Sequence, residues 1–134
     1  MRYILLLLLL ILPLSASADR LGSAAKRYKG VTYRYGGLSS RALDCSGLVL
    51  VALRKYGSIV PHKASQLYQM GKPIEKKNLK PDDLDFFSNH RHRISHVGIY
   101  LGSNLFIHAS SGSKKVIISK LSDYSHHYAG ARRL

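Results

Sequence analysis

The sequence predicts an α+β fold in which helices come first and strands follow. In the first half the apolar residues recur at helical spacing, and from Leu84 onward they alternate or form short runs bounded by Gly, Asn and Ser. The only cysteine, Cys45, stands between a polar, Gly-containing loop and an apolar helical run. Helical and stranded segments that separate along 134 residues indicate a single domain of the α+β class.

Residues 1–18 read as a leader outside that domain. Arg2 is a short positive region, Tyr3 to Leu12 is an unbroken apolar run, Pro13 breaks it, and Ala16-Ser17-Ala18 is an A-x-A cleavage site. The run is too short for a bilayer, which takes about 17–25 residues. The expectation is an exported chain (periplasm, cell envelope or extracellular) with no stable membrane span after cleavage and a domain over 19–134. No cysteine follows the site, so lipid attachment there is excluded.

Leu21, Ala24, Ala25 and Tyr28 sit at i, i+3, i+4 and i+7, which predicts a first helix over Asp19–Lys29 ended by Gly30. Val31 to Gly37 is an extended piece running into a Gly-Gly turn. Cys45 to Tyr56 is the main helix, with Asp44 as its N-cap and Arg54 and Lys55 in its last turn. Ala64 to Met70 is a short helix closed by Gly71. Lys72 to Pro81, polar and bounded by prolines, reads as loop.

Strands are expected at Leu84–Ser88, Ile94–Leu101, Leu105–Ala109 and Val116–Ser119. In the central pair Val97, Ile99, Leu101, Leu105 and Ile107 are odd-numbered and apolar, whereas His96 and His108 are even. A three-residue turn, Gly102-Ser103-Asn104, would set Leu101 opposite Leu105 and Gly98 opposite His108. It would leave both histidines on one face, diagonally offset. A two-residue turn would put them on opposite faces. The odd apolar face is continuous only with the odd loop length.

Net charge is +14, from 21 Lys and Arg against 7 Asp and Glu, and the leader would remove only Arg2. Such an excess implies an anionic partner or surface. Export points to anionic envelope polymers and away from nucleic acid. One cysteine cannot form an internal disulfide, and an unpaired cysteine in an exported chain suggests a working thiol. At a helix start the free N–H groups and the dipole favour its thiolate. With two histidines on one sheet face, the pattern has the form of a nucleophile, a base and an orienting group.

Asp44-Cys45-Ser46-Gly47, Ser95-His96-Val97-Gly98-Ile99-Tyr100-Leu101-Gly102 and Phe106-Ile107-His108-Ala109-Ser110 resemble the NlpC/P60 cell-wall peptidases. Tyr33-Arg34-Tyr35-Gly36-Gly37, Pro81 to Phe87 and Ala129 to Arg133 extend the resemblance over the whole chain after the leader. It implies a papain-like fold, with the helix bearing the nucleophile packed on an antiparallel sheet. Cys45 would be the nucleophile, His96 the general base and His108 the orienting residue. Tyr33 would lie near the oxyanion, and Asp44 and Ser46 near the amino end of the substrate. The resemblance further implies hydrolysis of peptidoglycan stem peptides at γ-D-glutamyl-diaminopimelate (or Lys) bonds, with no cofactor; the chain is expected to act as a monomer. Two other readings stay open: a wall-binding module with an idle site, and an amidase or acyltransferase of the same fold.

The chain departs from the family pattern at Pro81-Asp82-Asp83-Leu84-Asp85. Asp82 stands for a turn glycine and Asp85 for a strand hydrophobe. Asp85 is expected to face solvent or to pair with a cation. Among the other histidines, His90 and His92 in one stretch and His126 and His127 in another raise the question of a metal. Zinc takes three or four ligands in closed geometry, and Arg91 and Arg93 would repel it. No metal site is expected, and residues 89–93 read as a basic surface loop.

The leader reading predicts that the exported protein begins at Asp19. N-terminal sequencing of protein from the envelope fraction checks it, and Met1 retained there would rule it out.

Overall fold

A computed structural model describes residues 20–134, so the expected leader lies outside the described residues. Three helices, α1 (Arg20–Lys26), α2 (Cys45–Arg54) and α3 (Ala64–Leu67), accompany nine strands. These are β1 (Thr32–Tyr33), β2 (Leu38–Ser39), β3 (Ala42–Leu43), β4 (Lys72–Ile74), β5 (Leu84–Ser88), β6 (Ile94–Gly102), β7 (Leu105–Ser110), β8 (Lys115–Lys120) and β9 (Tyr128–Arg133). They form one sheet in the order β2-β3-β1-β8-β7-β6-β5-β9-β4. The architecture is the expected α+β, antiparallel except where β1 runs parallel to β3. No helix among the described residues is long and apolar enough to cross a membrane.

The helices end earlier than their periodicity suggests. After Lys26, Arg27, Tyr28 and Lys29 donate to carbonyls three residues back, tightening the chain before Gly30. α2 closes the same way at Tyr56 and Gly57. Lys72–Pro81 is not all loop. β4 adds an edge strand to β9, with Lys72 opposite Arg133 and Ile74 opposite Ala131, and Lys76–Asn78 forms a 3₁₀ turn. Three residues containing a proline carry no alternation to read, and the partner strand lies at the far end of the chain.

The core is two-sided. Leu48, Val49 and Ala52 of α2 meet Phe86, Val97, Ile99 and Ile107 of the sheet, all fully buried. Each large apolar side chain contributes about 1.5–3 kcal/mol by leaving water. The opposite face carries a smaller cluster, Phe87, Phe106 and Leu121, ringed by Tyr100, Tyr124 and Tyr128.

The β6–β7 hairpin reaches the expected outcome by a different route. Ile99 pairs with Ile107 and Tyr100 with Phe106, but Gly102, not Leu101, faces Leu105. The turn is thus the two residues Ser103 and Asn104, with φ of 53° and 67°. Two-residue hairpin turns with φ positive at both positions match the twist of the flanking strands. Leu101 is the extra residue of a bulge, which restores the parity the short turn alone would have lost. Gly98 lets the strands come together at the same level. A Cβ there would lie 2.6 Å from Phe106 Cδ2 and 3.1 Å from His108 Cβ.

The acidic departure at the β5 entry resolves residue by residue. Asp82 takes the turn conformation of the glycine it replaces, at φ 79°, and accepts from Gly22 N at 2.8 Å, tying the turn to α1. Asp83 is buried and held by both arms of the Arg133 guanidinium, at 2.7 and 2.8 Å. Asp85 neither faces solvent nor pairs with a cation, against expectation. It is fully buried between Gly98 and Ala131, its Oδ2 has no hydrogen-bond partner among the described residues, and its Oδ1 only accepts a 3.5 Å bond from Tyr128. Strand β5 still forms, because its backbone pairs on both sides whatever the side chain. Burial first, then the nearby Asp83 charge, pushes the Asp85 carboxyl up to about 8.

This carboxyl makes stability pH-dependent. Its folded value lies above the unfolded one, so its favourable contribution is complete at low pH and is lost as pH rises toward 8. Asp85→Asn removes the titration without changing shape. Thermal unfolding followed between about pH 6.5 and 8 should show wild-type stability falling by up to about 1.4 kcal/mol per pH unit relative to the variant. Parallel profiles would refute the assignment.

Candidate active site

Asp44 organises the start of α2. It sits in extended backbone, φ −99° and ψ −174°, and its Oδ1 accepts from Gly47 N at 2.8 Å, a side-chain N-cap. The same carboxylate accepts from Gly36 N at 2.9 Å and, more weakly, from the Ser46 hydroxyl at 3.4 Å. His62 Nε2 lies 2.8 Å from Oδ1. Gly47 has no room for a side chain: a Cβ would fall 2.1 Å from Gly37 O. The Gly-Gly turn is thereby seated directly on the helix start.

Cys45 is the first residue of α2 and is half-buried. Its Sγ lies 3.9 Å from Ser95 O. A hydrogen bond from Val97 N–H also reaches the thiol, so it rests against the β6 backbone on both sides of His96. The expectation of a thiol acidified by the helix start is reversed. Burial is the largest influence and raises its pKa, the Asp44 charge adds to the rise, and the N–H groups of Val97, Ser46 and Cys45 offset only part of it.

His96 and His108 lie together. His96 Nε2 is 2.7 Å from His108 Nδ1, and His108 Nε2 is 2.8 Å from Ser119 Oγ. His108 is almost wholly buried, stacked on Phe106 at 4.3 Å with Tyr124 edge-on at 5.3 Å. Burial disfavours the charged imidazole. It lowers His96 to about 4, and with the neighbouring His96 charge it lowers His108 to about 3.

Tyr33, Asp44, Cys45 and Ser46 line one cleft of about 330 Å³, with Tyr35 exposed at its rim. The Tyr33 phenol is held above its usual pKa by burial, then by the Cys45 and Asp44 charges, so it keeps its proton and can donate. The structure thus brings Tyr33, Asp44, Cys45 and Ser46 together in this cleft and His96 and His108 into contact with each other, and it sets the thiol against Ser95, the residue before His96. It adds two that were missed. His62 precedes α3 and reaches Asp44 from across the cleft, with no pattern around Pro61-His62 to mark it. Ser119 lies on an expected strand, but its approach to His108 depends on the β7–β8 register, Phe106 opposite Ser119. Among the described residues no group of three or more His, Cys, Asp or Glu side chains is arranged to hold a metal ion.

Comparison with known proteins gives concordant results. The NlpC/P60 family model matches residues 30–133. The chain is 43% identical over 102 residues to the Gamma-DL-glutamyl hydrolase of Bacillus subtilis, covering 74% of this chain and 24% of that protein. It is 40% identical over 113 residues to the Murein DD-endopeptidase MepS/Murein LD-carboxypeptidase of Escherichia coli, covering 80% of this chain and 57% of that one. The chain thus spans about a quarter to somewhat over half the length of these relatives. Among solved structures, an NlpC/P60 family protein from Bacillus cereus superposes with a TM-score of 0.81 at 30% identity, covering 85% of this chain and 39% of that one. Motifs, fold and relatives agree, and the chain belongs to the NlpC/P60 family.

Proposed function

We propose that this chain is an exported cysteine peptidase that hydrolyses peptidoglycan stem peptides, with Cys45 as nucleophile, His96 as general base and acid, and His108 as orienting residue. The observation that carries the reading is the seat of the thiol on the β6 backbone either side of His96, with His96 in turn bonded to His108 and His108 to Ser119.

The tautomers follow from that line. His108 stays neutral at working pH, so it carries one ring proton. If His96 Nε2–H donates to His108 Nδ1, then His108 Nε2–H donates to Ser119 Oγ. His96 Nδ1 is then left as the acceptor for the Cys45 proton. The opposite arrangement would put the proton on His96 Nδ1 and disable the base. A raised thiol and a lowered imidazole favour a neutral pair at rest, so proton transfer accompanies attack on the carbonyl. The imidazolium formed is stabilised by His108 Nδ1 and then protonates the departing amine. The Cys45 N–H in the first turn of α2 and the Tyr33 hydroxyl, which share this cleft, would receive the oxyanion. Water activated by His96 releases the acyl group.

The bond we favour is γ-D-glutamyl-diaminopimelate, supported by the name of the B. subtilis relative. The E. coli relative is named for a D,D bond, so digests should score both. Asp44 and Ser46, with their oxygens in the cleft beside Cys45, are proposed to meet the substrate's amino end. The cationic surface would hold the enzyme on anionic envelope polymers.

Mass spectrometry of muropeptide digests tests the assignment. Cys45→Ala should abolish hydrolysis, and His96→Ala should lower it about 10²–10⁴-fold. The double variant should be no worse than either alone, because the pair acts as a unit. His108→Ala should leave measurable activity, with His108→Asn or His108→Gln retaining more. Ser119→Ala should lower kcat roughly two- to tenfold, the loss of one orienting hydrogen bond. A folded His96→Ala variant with near-full activity would refute the triad.

The pH profile supplies an independent check. The base must be unprotonated, and burial lowers it to about 4, so activity is present above that value and lost below it. The acid limb of kcat/KM should therefore fall near pH 4. A limb at about pH 6.5, the ordinary imidazole value, would show that His96 is not buried in this way.

A further inference from the structure

Nucleophile and proton carrier open onto different cavities. Cys45 lines the cleft shared with Tyr33, Asp44 and His62, and His96 does not. His96 lines a second cavity of about 370 Å³ with Phe87, Asn89, His90, Tyr124 and His127. Ser95 borders both, so the two concavities meet at the catalytic strand.

The chemistry assigns a direction to this arrangement. When the thiol attacks, the carbonyl carbon bonds to sulfur, and the C–N bond breaks as His96 gives its proton to nitrogen. The acyl half stays on sulfur, in the first cleft. The amine half leaves from the imidazole, toward the second. That second cavity has an aromatic floor, with Phe87 nearly buried and in contact with Tyr124. Its polar walls carry the imidazoles of His90 and His127 and no carboxylate. Asn89 Oδ1 accepts from the N–H groups of Arg91 and Arg93, at 2.8 and 3.2 Å, which pins the cationic β5–β6 loop at the rim.

We propose that this second cavity is the leaving-group subsite, and that it selects an amine product bearing a free carboxylate, which His90 and His127 receive. The proposal rests on the peptidase reading for its direction, while the subsite can be tested without turnover.

The binding probe is lysyl-D-alanine, whose only carboxylate is C-terminal, against its C-terminal carboxamide, titrated into the Cys45→Ala protein and followed by backbone and imidazole NMR. The acid should shift resonances at Asn89, His90, Tyr124 and His127, and bind about tenfold more tightly than the amide, as one charge-assisted hydrogen bond allows. His90→Ala with His127→Ala, both exposed positions, should erase that difference in a protein whose circular dichroism is unchanged. On active enzyme the same double substitution should remove the preference in kcat/KM for substrates with a carboxylate on the leaving side over their carboxamides. Shifts confined to Tyr33, Asp44 and His62, or equal affinity for acid and amide, would overturn the subsite. If neither substrate is hydrolysed while the probe still binds at His127, the subsite stands and the peptidase reading falls.

Discussion

The 2.7 Å contact between His96 and His108 is the constraint on which the rest of the molecule depends. It requires two side chains from adjacent strands to share a face, and so a particular register. It requires the strands to close up where Gly98 stands opposite. It also requires a dry environment, since in water two imidazoles gain little from each other. Phe87, Phe106 and Tyr124 provide that environment, and the lowered pKa values of both histidines follow from it. The apolar cluster on the face away from the helices thus shapes the proposed site as much as the core.

Asp44 plays the corresponding part at the helix end. Its two oxygens receive the backbone of the Gly-Gly turn, the backbone of the first turn of α2, the Ser46 hydroxyl and His62. Three separate pieces of chain, the Gly-Gly turn, the start of α2 and the loop of His62, therefore take their positions from one side chain 12% exposed. The wall of the cleft on this side is hydrogen-bonded to the cap that starts α2.

How much of this was legible depends on the range of the interaction. Asp44 as a cap and Cys45 as the first helical residue follow from local chemistry, and both hold. The shared face of the histidines follows from period two and also holds, though by a bulge that no pattern announces. Leu101 looks like any other strand residue until its partner is known. Interactions between distant segments were not legible. Ser119 meets His108 only through the β7–β8 register, and His62 reaches Asp44 from a separate loop. The thiol's pKa went the other way for the same reason: the helix start is local, whereas the burial that outweighs it comes from β6 and the loops around it. Asp85 was misjudged because a carboxylate in a strand reads as exposed, and nothing in the sequence says that β5 lies inside the sheet between β6 and β9.

The bulge at Leu101 also bears on how such a chain can change over generations. Two lengths are coupled in this hairpin: a turn one residue shorter than parity needs and a strand one residue longer. Point changes along either strand alter packing by degrees. Losing or gaining a single codon between Tyr100 and Leu105 acts differently, because it exchanges the two faces of everything beyond it. His108 would pass to the helix side and Ile107 to the aromatic cluster. The hairpin can thus drift in composition while its residue count is held by selection, and indels are admissible there only in compensating pairs.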